Sequence, residues 1–167
     1  MVGAYVMASF AMLTGSFWWA LGLTVPAMLI CGLVLEFTVF RALYARSHLD
    51  QVLATFGLVL VISEGVKILW GSAPLTVPMP DLLSGSVGLI GPLKYPVYRL
   101  AILGVGLASA LGLYVLITQS RMGMLLRAGA SNRKMVSALG VNVGRLFAMV
   151  FAFGAMLAGF AGAIVAP

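Results

Sequence analysis

Residues 100–120 have the sequence LAILGVGLASALGLYVLITQS, which contains no charged side chain and is bounded by Arg99 and Arg121. At 1.5 Å per residue, a helix of this length matches the roughly 30 Å hydrocarbon core of a bilayer. Residues 146–167, LFAMVFAFGAMLAGFAGAIVAP, form a second charge-free stretch of the same kind. Both stretches predict membrane-spanning helices, and the sequence that precedes them continues the pattern.

The composition also indicates a chain that is embedded in a membrane. Of its 167 residues, 62% are hydrophobic and only 8% are charged, and the mean hydropathy is +1.13. So few charges do not cover a water-exposed surface. The net charge of +6 would point to nucleic acid in a soluble protein, but here the cations lie in short segments between apolar stretches. We therefore expect contact with membrane lipid and no nucleic-acid partner.

Three further apolar stretches precede residue 100. Residues 1–35 carry no charge and are too long for one span, so we expect a break at residues 14–16, Thr-Gly-Ser. The break leaves an incomplete span at 1–13 and a full one at 17–35, and another span covers 52–70. The predicted fold is an all-α, polytopic transmembrane helical bundle of about five spans, the first incomplete. We expect the chain to be a fragment that lacks spans at both ends.

The segments between spans predict the topology. Residues 121–145 contain five cations and no acid, which is typical of the cytoplasmic side. Residues 71–98 contain five prolines, which exclude a continuous helix, and alternation places them outside. We predict a single membrane-embedded domain, residues 1–167, with an external loop at 71–98 and a cytoplasmic loop at 121–145.

Small residues recur every four positions in the last two spans. Lipid tails are as apolar as the side chains, so close packing of small faces drives helix association in a bilayer. Such spacing is common, and it favours helix packing over a direct role in transport for any one glycine. The predicted packing residues are Gly104, Ala108 and Gly112 in one span and Gly154, Ala158, Gly159 and Gly162 in the other.

Residues 131–140, SNRKMVSALG, have the pattern of a short amphipathic helix. Ser131 is the predicted N-cap, and Gly140 suits the position after the last turn. Two turns are not stable alone in water, so the apolar side needs a partner. That partner is either the anionic membrane surface or a pocket on another protein, and the pattern does not choose between them. The predicted apolar side consists of Met135, Ala138 and Leu139.

Few side chains in the sequence are candidates for catalysis, metal binding or ion pairing. Glu64 and Lys67 lie three positions apart near the outer end of a span, where a functional role competes with simple pairing and snorkelling. Glu36 is a candidate partner for Arg41. No carboxylate pair, Ser-His-Asp set or phosphate-binding glycine loop is present, and one Cys with one His makes no metal site. We predict no catalytic residue and no metal, and the residues of any substrate path stay unknown.

A further set of motifs is spread along nearly the whole chain. The motifs are Gly3-Ala4-Tyr5-Val6, Leu49-Asp50-Gln51-Val52-Leu53-Ala54-Thr55-Phe56-Gly57, Trp70-Gly71, Pro78-x-Pro80, Tyr95-Pro96-x-Tyr98-Arg99-Leu100, Arg127-Ala128-x-Ala130-x-Asn132-x-x-Met135-x-x-Ala138-Leu139-Gly140-Val141-Asn142 and Ala158-Gly159-Phe160-Ala161-Gly162. Together they resemble one transporter family, the permeases of branched-chain amino-acid ABC importers. Their order in the chain is also the family's order, and the resemblance is to the first of the two permeases that such systems pair.

The resemblance implies partners and a mechanism. A second permease subunit would complete the path, two cytoplasmic ATPase subunits would bind ATP and grip the 121–145 coupling loop, and an external solute-binding protein would sit on the 71–98 loop. The chain itself would need no cofactor. Two departures concern the coupling loop and the early helix: Lys134-Met135-Val136 stands where importers usually carry Glu-Ala-Ala, and Arg41-Ala42 replaces Arg-Pro. The implied coupling residues are Arg127, Ala128, Asn132, Met135, Ala138, Leu139 and Gly140.

The leading interpretation is a multi-pass permease in a prokaryotic inner membrane that imports branched-chain amino acids. Permeases of the same architecture carry urea, short amides or sugars, so the substrate stays open. A non-transporting membrane assembly subunit is a different class, and a lack of ATPase contact at Met135, Ala138 or Leu139 would favour it. An enzyme embedded in the membrane is the least favoured class, because convergent polar residues are missing.

Overall fold

The computed structural model describes residues 1–44, 46–71, 85–90 and 93–166. A π-helical turn, Glu36–Phe40, joins the second helix to the third, and two strands, β1 (Ser86–Ile90) and β2 (Leu93–Pro96), precede the fifth helix. The helices are α1 (Val2–Thr14), α2 (Phe17–Leu35), α3 (Arg41–Leu43), α4 (His48–Trp70), α5 (Val97–Gln119), α6 (Arg121–Ser131), α7 (Arg133–Ala138) and α8 (Val143–Val165).

Four helical stretches are long and apolar enough to cross a membrane: Phe17–Leu43, His48–Trp70, Val97–Gln119 and Val143–Val165. Helix α1 is also apolar, but its 13 residues are too few for a crossing. The predicted polytopic helical bundle is therefore confirmed, with four candidate spans and one shorter apolar helix. In each span, at most 22% of the most apolar window is buried within the chain, so most of the helical surface is left for lipid or for other chains.

The predicted break near residue 15 is present. Helix α1 ends at Thr14, and Gly15 adopts a left-handed conformation with φ of 64° while its N–H donates to the Ala11 carbonyl at 2.9 Å. A side chain at this φ would be strained, so glycine is suited to end the helix here. Helix α2 begins two residues later and packs against α1.

The described chain divides into two compact units, and each is presented by itself. The first unit contains α1 to α4 and the part of α8 from Phe151 onward. Its core is a cluster of small and flexible side chains, with Phe10, Phe17 and Leu21 packed against it. The residues at the centre of this cluster are Met7, Ala8, Ala11, Ala20 and Ala163.

Helix α8 lies against α1 and α2 with almost no side chain between the backbones. A Cβ built at Gly3 would lie less than 3.0 Å from backbone atoms of Gly159. A Cβ at Gly32 would come equally close to the Cβ of Ala155. Such approaches are possible only because these positions are small, and they give the backbone proximity on which helix association in lipid depends.

A polar contact joins the end of α4 to α1. The indole Nε1 of Trp70 donates to Ser9 Oγ at 2.7 Å, and Ser9 Oγ donates to the Tyr5 carbonyl at 3.0 Å. The rings of Tyr5 and Trp70 lie 5.8 Å apart between centroids. The partly buried hydroxyl of Ser9 therefore has both a donor and an acceptor, which makes the contact favourable in an apolar setting.

The π-helical turn at the end of α2 corrects the predicted pairing of Glu36 with Arg41. The backbone N–H of Arg41 donates to the Glu36 carbonyl, but the side chains diverge, because Glu36 is 2% exposed whereas Arg41 is exposed. The carboxylate instead accepts a hydrogen bond from the Tyr44 hydroxyl at 3.1 Å. The Glu36 carboxylate is thus buried at the Tyr44 hydroxyl, whereas the long Arg41 side chain keeps its charge at the exposed surface.

The second unit contains the β1–β2 hairpin, α5, α6, α7 and α8 up to Val150. The strands are antiparallel, with Val87 opposite Tyr95 and Gly88 opposite Lys94. Part of the predicted 71–98 loop is thus a hairpin, and its last two residues belong to α5. Residues 72–84 and 91–92, with four of the five prolines, lie outside the described residues. The external position of this segment stays a prediction.

Candidate functional site

The predicted coupling loop, residues 121–145, is almost entirely helical. It consists of α6, α7 and the first turn of α8. Ser120 separates α5 from α6: its backbone is extended, and its Oγ accepts from the Gly123 N–H at 3.0 Å. A serine oxygen in this position satisfies one of the four N–H groups that the start of a helix leaves without partners. Ser120 alone therefore separates α5 from α6, and it is also the N-cap of α6.

Arg127 fastens α6 to the end of the preceding span. Its guanidinium Nη1 donates to the carbonyl of Ile117, which lies in the last turn of α5. The last four carbonyls of a helix have no acceptor role within it, so a cationic donor there is favourable both as a hydrogen bond and toward the helix dipole. Gly123 permits this closeness, since a Cβ on it would meet the backbone of Ile117 at less than 3.0 Å.

Asn132, and not Ser131, is the N-cap of α7. Its Oδ1 accepts from the Met135 N–H at 3.1 Å. The prediction of Ser131 was wrong because Ser131 is the last residue of α6, a helix that the sequence pattern did not indicate. Both residue types are good caps, so side-chain preference alone did not distinguish them.

Gly140 ends α7 as predicted. Its φ is 82°, and its N–H donates to the Ser137 carbonyl at 3.0 Å, while the next N–H, of Val141, reaches the Val136 carbonyl at 3.4 Å. Two residues later, Asn142 Oδ1 accepts from the Arg145 N–H at 3.1 Å at the start of α8. Hydrogen bonds of Asn132 at the start and of Gly140 at the end therefore define the bounds of α7.

Aromatic and apolar contacts hold α6 and α7 on α8. The guanidinium carbon of Arg133 lies 4.3 Å from the centroid of the Phe147 ring, which is a cation–π contact. A Cβ on Gly129 would be in ordinary contact with Phe147 and Leu146. Since Arg133 starts α7, the short helix is attached to the following span at its first residue.

The apolar side chains of α7 and its C-cap are partly buried within the chain and partly exposed. Val136 is buried, whereas Met135 is 66% exposed and Leu139 is 78% exposed. Ala138 is exposed beside them. The predicted apolar side therefore exists, and within the described part of the chain nothing covers it. Contact of this side with another protein stays a prediction.

The other predicted residues have varied surroundings. Ala128 is exposed on α6. Gly159 is at the contact with Gly3 and Met28, and Gly162 lies near Ala4. A different group is exposed, and its glycines have open space around them within the described residues, so any packing role there would need another chain: Gly104, Ala108, Gly112, Gly154 and Ala158.

Sequence reasoning missed the residues of this region that are buried or that join α6 and α7 to the neighbouring spans. Val136 was not assigned to either side of α7, and Ser120, Gly123 and Phe147 were not singled out. Ser120 had a local signal, because it is a capping residue between a charge-free span and Arg121. Phe147 had none, since its role depends on Arg133 reaching it from a different helix.

Comparison with protein families places the whole chain in one group. The family model described as "Branched-chain amino acid transport system / permease component" matches residues 1–167. The chain belongs to this family. It is accordingly a multi-pass membrane protein of a transporter family, as the four long apolar helices also require.

Individual relatives of this permease-family chain are more distant. It is 28% identical over 139 residues to the high-affinity branched-chain amino acid transport system permease proteins LivH of Salmonella typhimurium and of Escherichia coli, covering 80% of this chain. It is 24% identical over 136 residues to BraD of Pseudomonas aeruginosa. The chain spans 44% of the length of these curated relatives. No solved structure matches.

Proposed function

We propose that this chain is a membrane-spanning permease subunit of an ATP-driven importer and that branched-chain amino acids are its substrates. The match of the family model to all 167 residues supports the proposal, together with the names that the relatives carry. Permeases of this kind translocate without chemical conversion, so the chain is not an enzyme. Its location is the inner membrane of a prokaryote.

The observation that carries the mechanism is the exposed apolar side of α7. Met135 and Leu139 project from a helix that is fastened at its start by Arg133 on Phe147 and ended by Gly140. An exposed Met and Leu on a short, positioned helix provide anchors for a hydrophobic pocket. We assign this pocket to a cytoplasmic ATPase subunit.

Coupling requires that the ATPase contact α7 differently in its ATP-bound and ATP-free states, because only a difference in binding free energy shifts a conformational equilibrium. The contacts of Arg127 with Ile117 and of Arg133 with Phe147 connect the coupling loop to the helices before and after it. A push on α7 would therefore reach α8 directly through Arg133 and α5 through α6 and Arg127. ATP itself is bound by the partner, and this chain holds no cofactor.

The remaining partners complete the transporter. A second permease subunit covers span surface that this chain leaves exposed, and two ATPase subunits serve the two coupling loops. An external solute-binding protein delivers the amino acid to the side that carries the β1–β2 hairpin. The excess of cations in residues 121–145 is typical of a cytoplasmic loop and supports this orientation.

Cross-linking tests the ATPase contact. In a Cys31→Ser background, Ala138→Cys is combined with the second permease and the ATPase subunits, and a short thiol cross-linker is added. We expect a permease–ATPase adduct whose yield changes with ATP. Ser131→Cys is the matched control, because Ser131 is also an exposed small residue of the same loop but ends α6. Equal yields at both positions, or none at Ala138→Cys, would reject the assigned pocket.

Uptake by the assembled transporter tests the substrate. We expect ATP-dependent uptake of radiolabelled leucine that unlabelled isoleucine and valine inhibit and that urea, short amides and sugars do not. Inhibition by urea or a sugar instead would move the substrate to the other classes that share this architecture. Assembly without any ATP-dependent uptake would favour a non-transporting assembly subunit.

A further inference from the structure

Two opposite charges lie together inside the apolar helix α4. Lys67 Nζ is 2.8 Å from Glu64 Oε1, and the two side chains are 49% and 63% exposed, respectively. Glu64 lies six residues before the end of α4, about 9 Å along the helix axis, which is within the hydrocarbon layer for a helix of 23 residues. Charges at such a depth are costly against lipid and are found facing water or protein.

The pair lies on the side of α4 that faces away from its own chain. The buried residue of this helix is Val66, and at about 100° per residue Glu64 is some 160° away from it around the axis. Leu60 is one turn from Glu64 on the same side and is 52% exposed. An exposed apolar residue and two exposed charges therefore form one strip, which we name the α4 charged strip: Leu60, Glu64 and Lys67.

Simple snorkelling does not account for the geometry. A lysine that escapes from the hydrocarbon would direct its ammonium toward the nearer end of the helix. Here the Lys67 ammonium is directed one turn deeper, to Glu64. The carboxylate gains from this contact, but its depth remains unfavourable unless water or another polar group is near.

The pair has unused hydrogen-bonding capacity. Among the described residues, Glu64 Oε2 has no donor, and Lys67 uses one of its three N–H groups on Oε1. An amino acid carries an ammonium and a carboxylate on one carbon. Its ammonium fits the free oxygen of Glu64, its carboxylate fits the remaining donors of Lys67, and an aliphatic side chain fits Leu60.

We infer that the α4 charged strip faces the aqueous path of the transporter and binds the zwitterionic head group of its substrate. This inference rests on the proposed import of amino acids and adds the residues that recognise them. A neutral substrate such as urea or a sugar would gain nothing from two opposite charges, so the strip also selects among the substrate classes that the architecture permits. Glu64 and Lys67 act as binding residues, without any change in covalent bonds.

Thiol labelling tests whether the strip faces water. Leu60→Cys, in a Cys31→Ser background, leaves both charges in place and is treated from outside with a membrane-impermeant thiol reagent in the assembled transporter. We expect modification, slowed at least severalfold when leucine and the solute-binding protein are present. Val59→Cys is the matched control: Val59 is 59% exposed and lies at nearly the same depth as Leu60, but about 140° from Glu64 around the helix. If Leu60→Cys stays unmodified, or reacts no faster than Val59→Cys, the strip does not face the path.

Uptake with changed charges tests recognition. We expect Glu64→Gln and Lys67→Gln each to raise the KM for leucine about tenfold, the size of one lost charge-assisted hydrogen bond. A purely structural pair would weaken transport of every ligand alike. Recognition predicts a split: Glu64→Gln lowers the preference for leucine over its analogue without the amino group, and Lys67→Gln lowers the preference over its analogue without the carboxylate.

The outcomes separate this inference from the proposed function. Normal leucine uptake by both variants, with unchanged discrimination against the two analogues, overturns the role of the strip and leaves the importer intact. No leucine uptake by the unmodified transporter removes the proposed function itself. Assembly of each variant with its partners, measured by co-purification, shows that a changed KM does not arise from misfolding.

Discussion

Two glycines of α8, five residues apart, have very different surroundings. Gly159 lies against Gly3 and Met28 of neighbouring helices, and a Cβ there would come closer than 3.0 Å to the Met28 side chain. Gly154 is exposed, and within the described residues a Cβ on it would meet nothing within 4 Å. The same residue type in the same small-residue pattern is thus a close contact at one position and open surface at the other.

We expect Gly159→Leu to destabilise the helix bundle by about 1–3 kcal/mol, because the larger side chain forces α1 and α2 away from α8. The measurement is thermal unfolding in detergent, followed by the signal of a thiol-reactive dye on Cys31. Gly154→Leu serves as the control and is expected to leave the unfolding temperature nearly unchanged. A drop of equal size in both variants would contradict close packing at Gly159 as the cause.

At the scale of the elements, capping residues determine where helices begin. Ser47 precedes α4, Asn132 precedes α7, and each accepts a hydrogen bond from an N–H in the first turn. Pro96 precedes α5 without a side-chain cap, but its fixed φ suits an extended residue at a helix start. These contacts are local, and each is testable by a single substitution.

Replacing Asn132 by alanine is expected to cost about 1 kcal/mol of α7 stability, since the Met135 N–H loses its acceptor. Hydrogen exchange of the amides in residues 133–138 is expected to accelerate about fivefold. Ser131→Ala is the matched control, because Ser131 ends α6 and caps nothing in α7. Faster exchange in Ser131→Ala than in Asn132→Ala would show that Ser131 is the N-cap of α7, as the sequence pattern predicted.

The element ends show how far a sequence can take the prediction. The charge-free stretch 17–35 matches α2 to the residue, yet α4 starts at His48, four residues before the apolar stretch at 52–70. Charge and hydropathy mark where the chain enters lipid, whereas capping marks where the helix starts, and the two positions need not coincide. Helix α6 was not predicted, because its apolar pattern is short and it borders a charged stretch.

Only the outward part of the candidate site followed from the sequence pattern. Helical spacing put Met135, Ala138 and Leu139 on one side, and all three are exposed, whereas their contact with another protein stays a prediction. The contacts of Arg133 with Phe147 and of Glu36 with Tyr44 depend on bringing separate turns together, or on an extra residue within a turn. No single-sequence pattern encodes such a geometry.

At the scale of the whole molecule, the main property is the large apolar surface that the chain leaves exposed. Large side chains such as Trp19, Phe56, Ile68 and Leu107 are exposed along the spans. In water this surface would drive aggregation, whereas in a bilayer it is the normal boundary with lipid and with neighbouring helices. The orientation of these helices across the membrane therefore decides which loops meet which partners.

Thiol labelling in intact cells tests that orientation. In a Cys31→Ser background, we expect Gly85→Cys to react with a membrane-impermeant reagent added outside, and Ser137→Cys to react only after the membrane is permeabilised. Both positions are exposed within the chain, so access and not burial determines the result. Labelling of Ser137→Cys from outside would invert the topology and remove the proposed ATPase contact.

The wide turn at Glu36–Phe40 holds one residue more than an α-helical path of the same rise would hold. Deleting Thr38 would leave the number of residues that the α-helical path needs, so the helix beyond the turn would keep its rotational position relative to α2. The Phe40 ring would stay near the Phe151 ring, now 4.4 Å away between centroids, and the Tyr44 hydroxyl would stay near the Glu36 carboxylate. A single-residue deletion in this turn should therefore be tolerated far better than one in the regular part of α2, where everything beyond the deletion would rotate by about 100°.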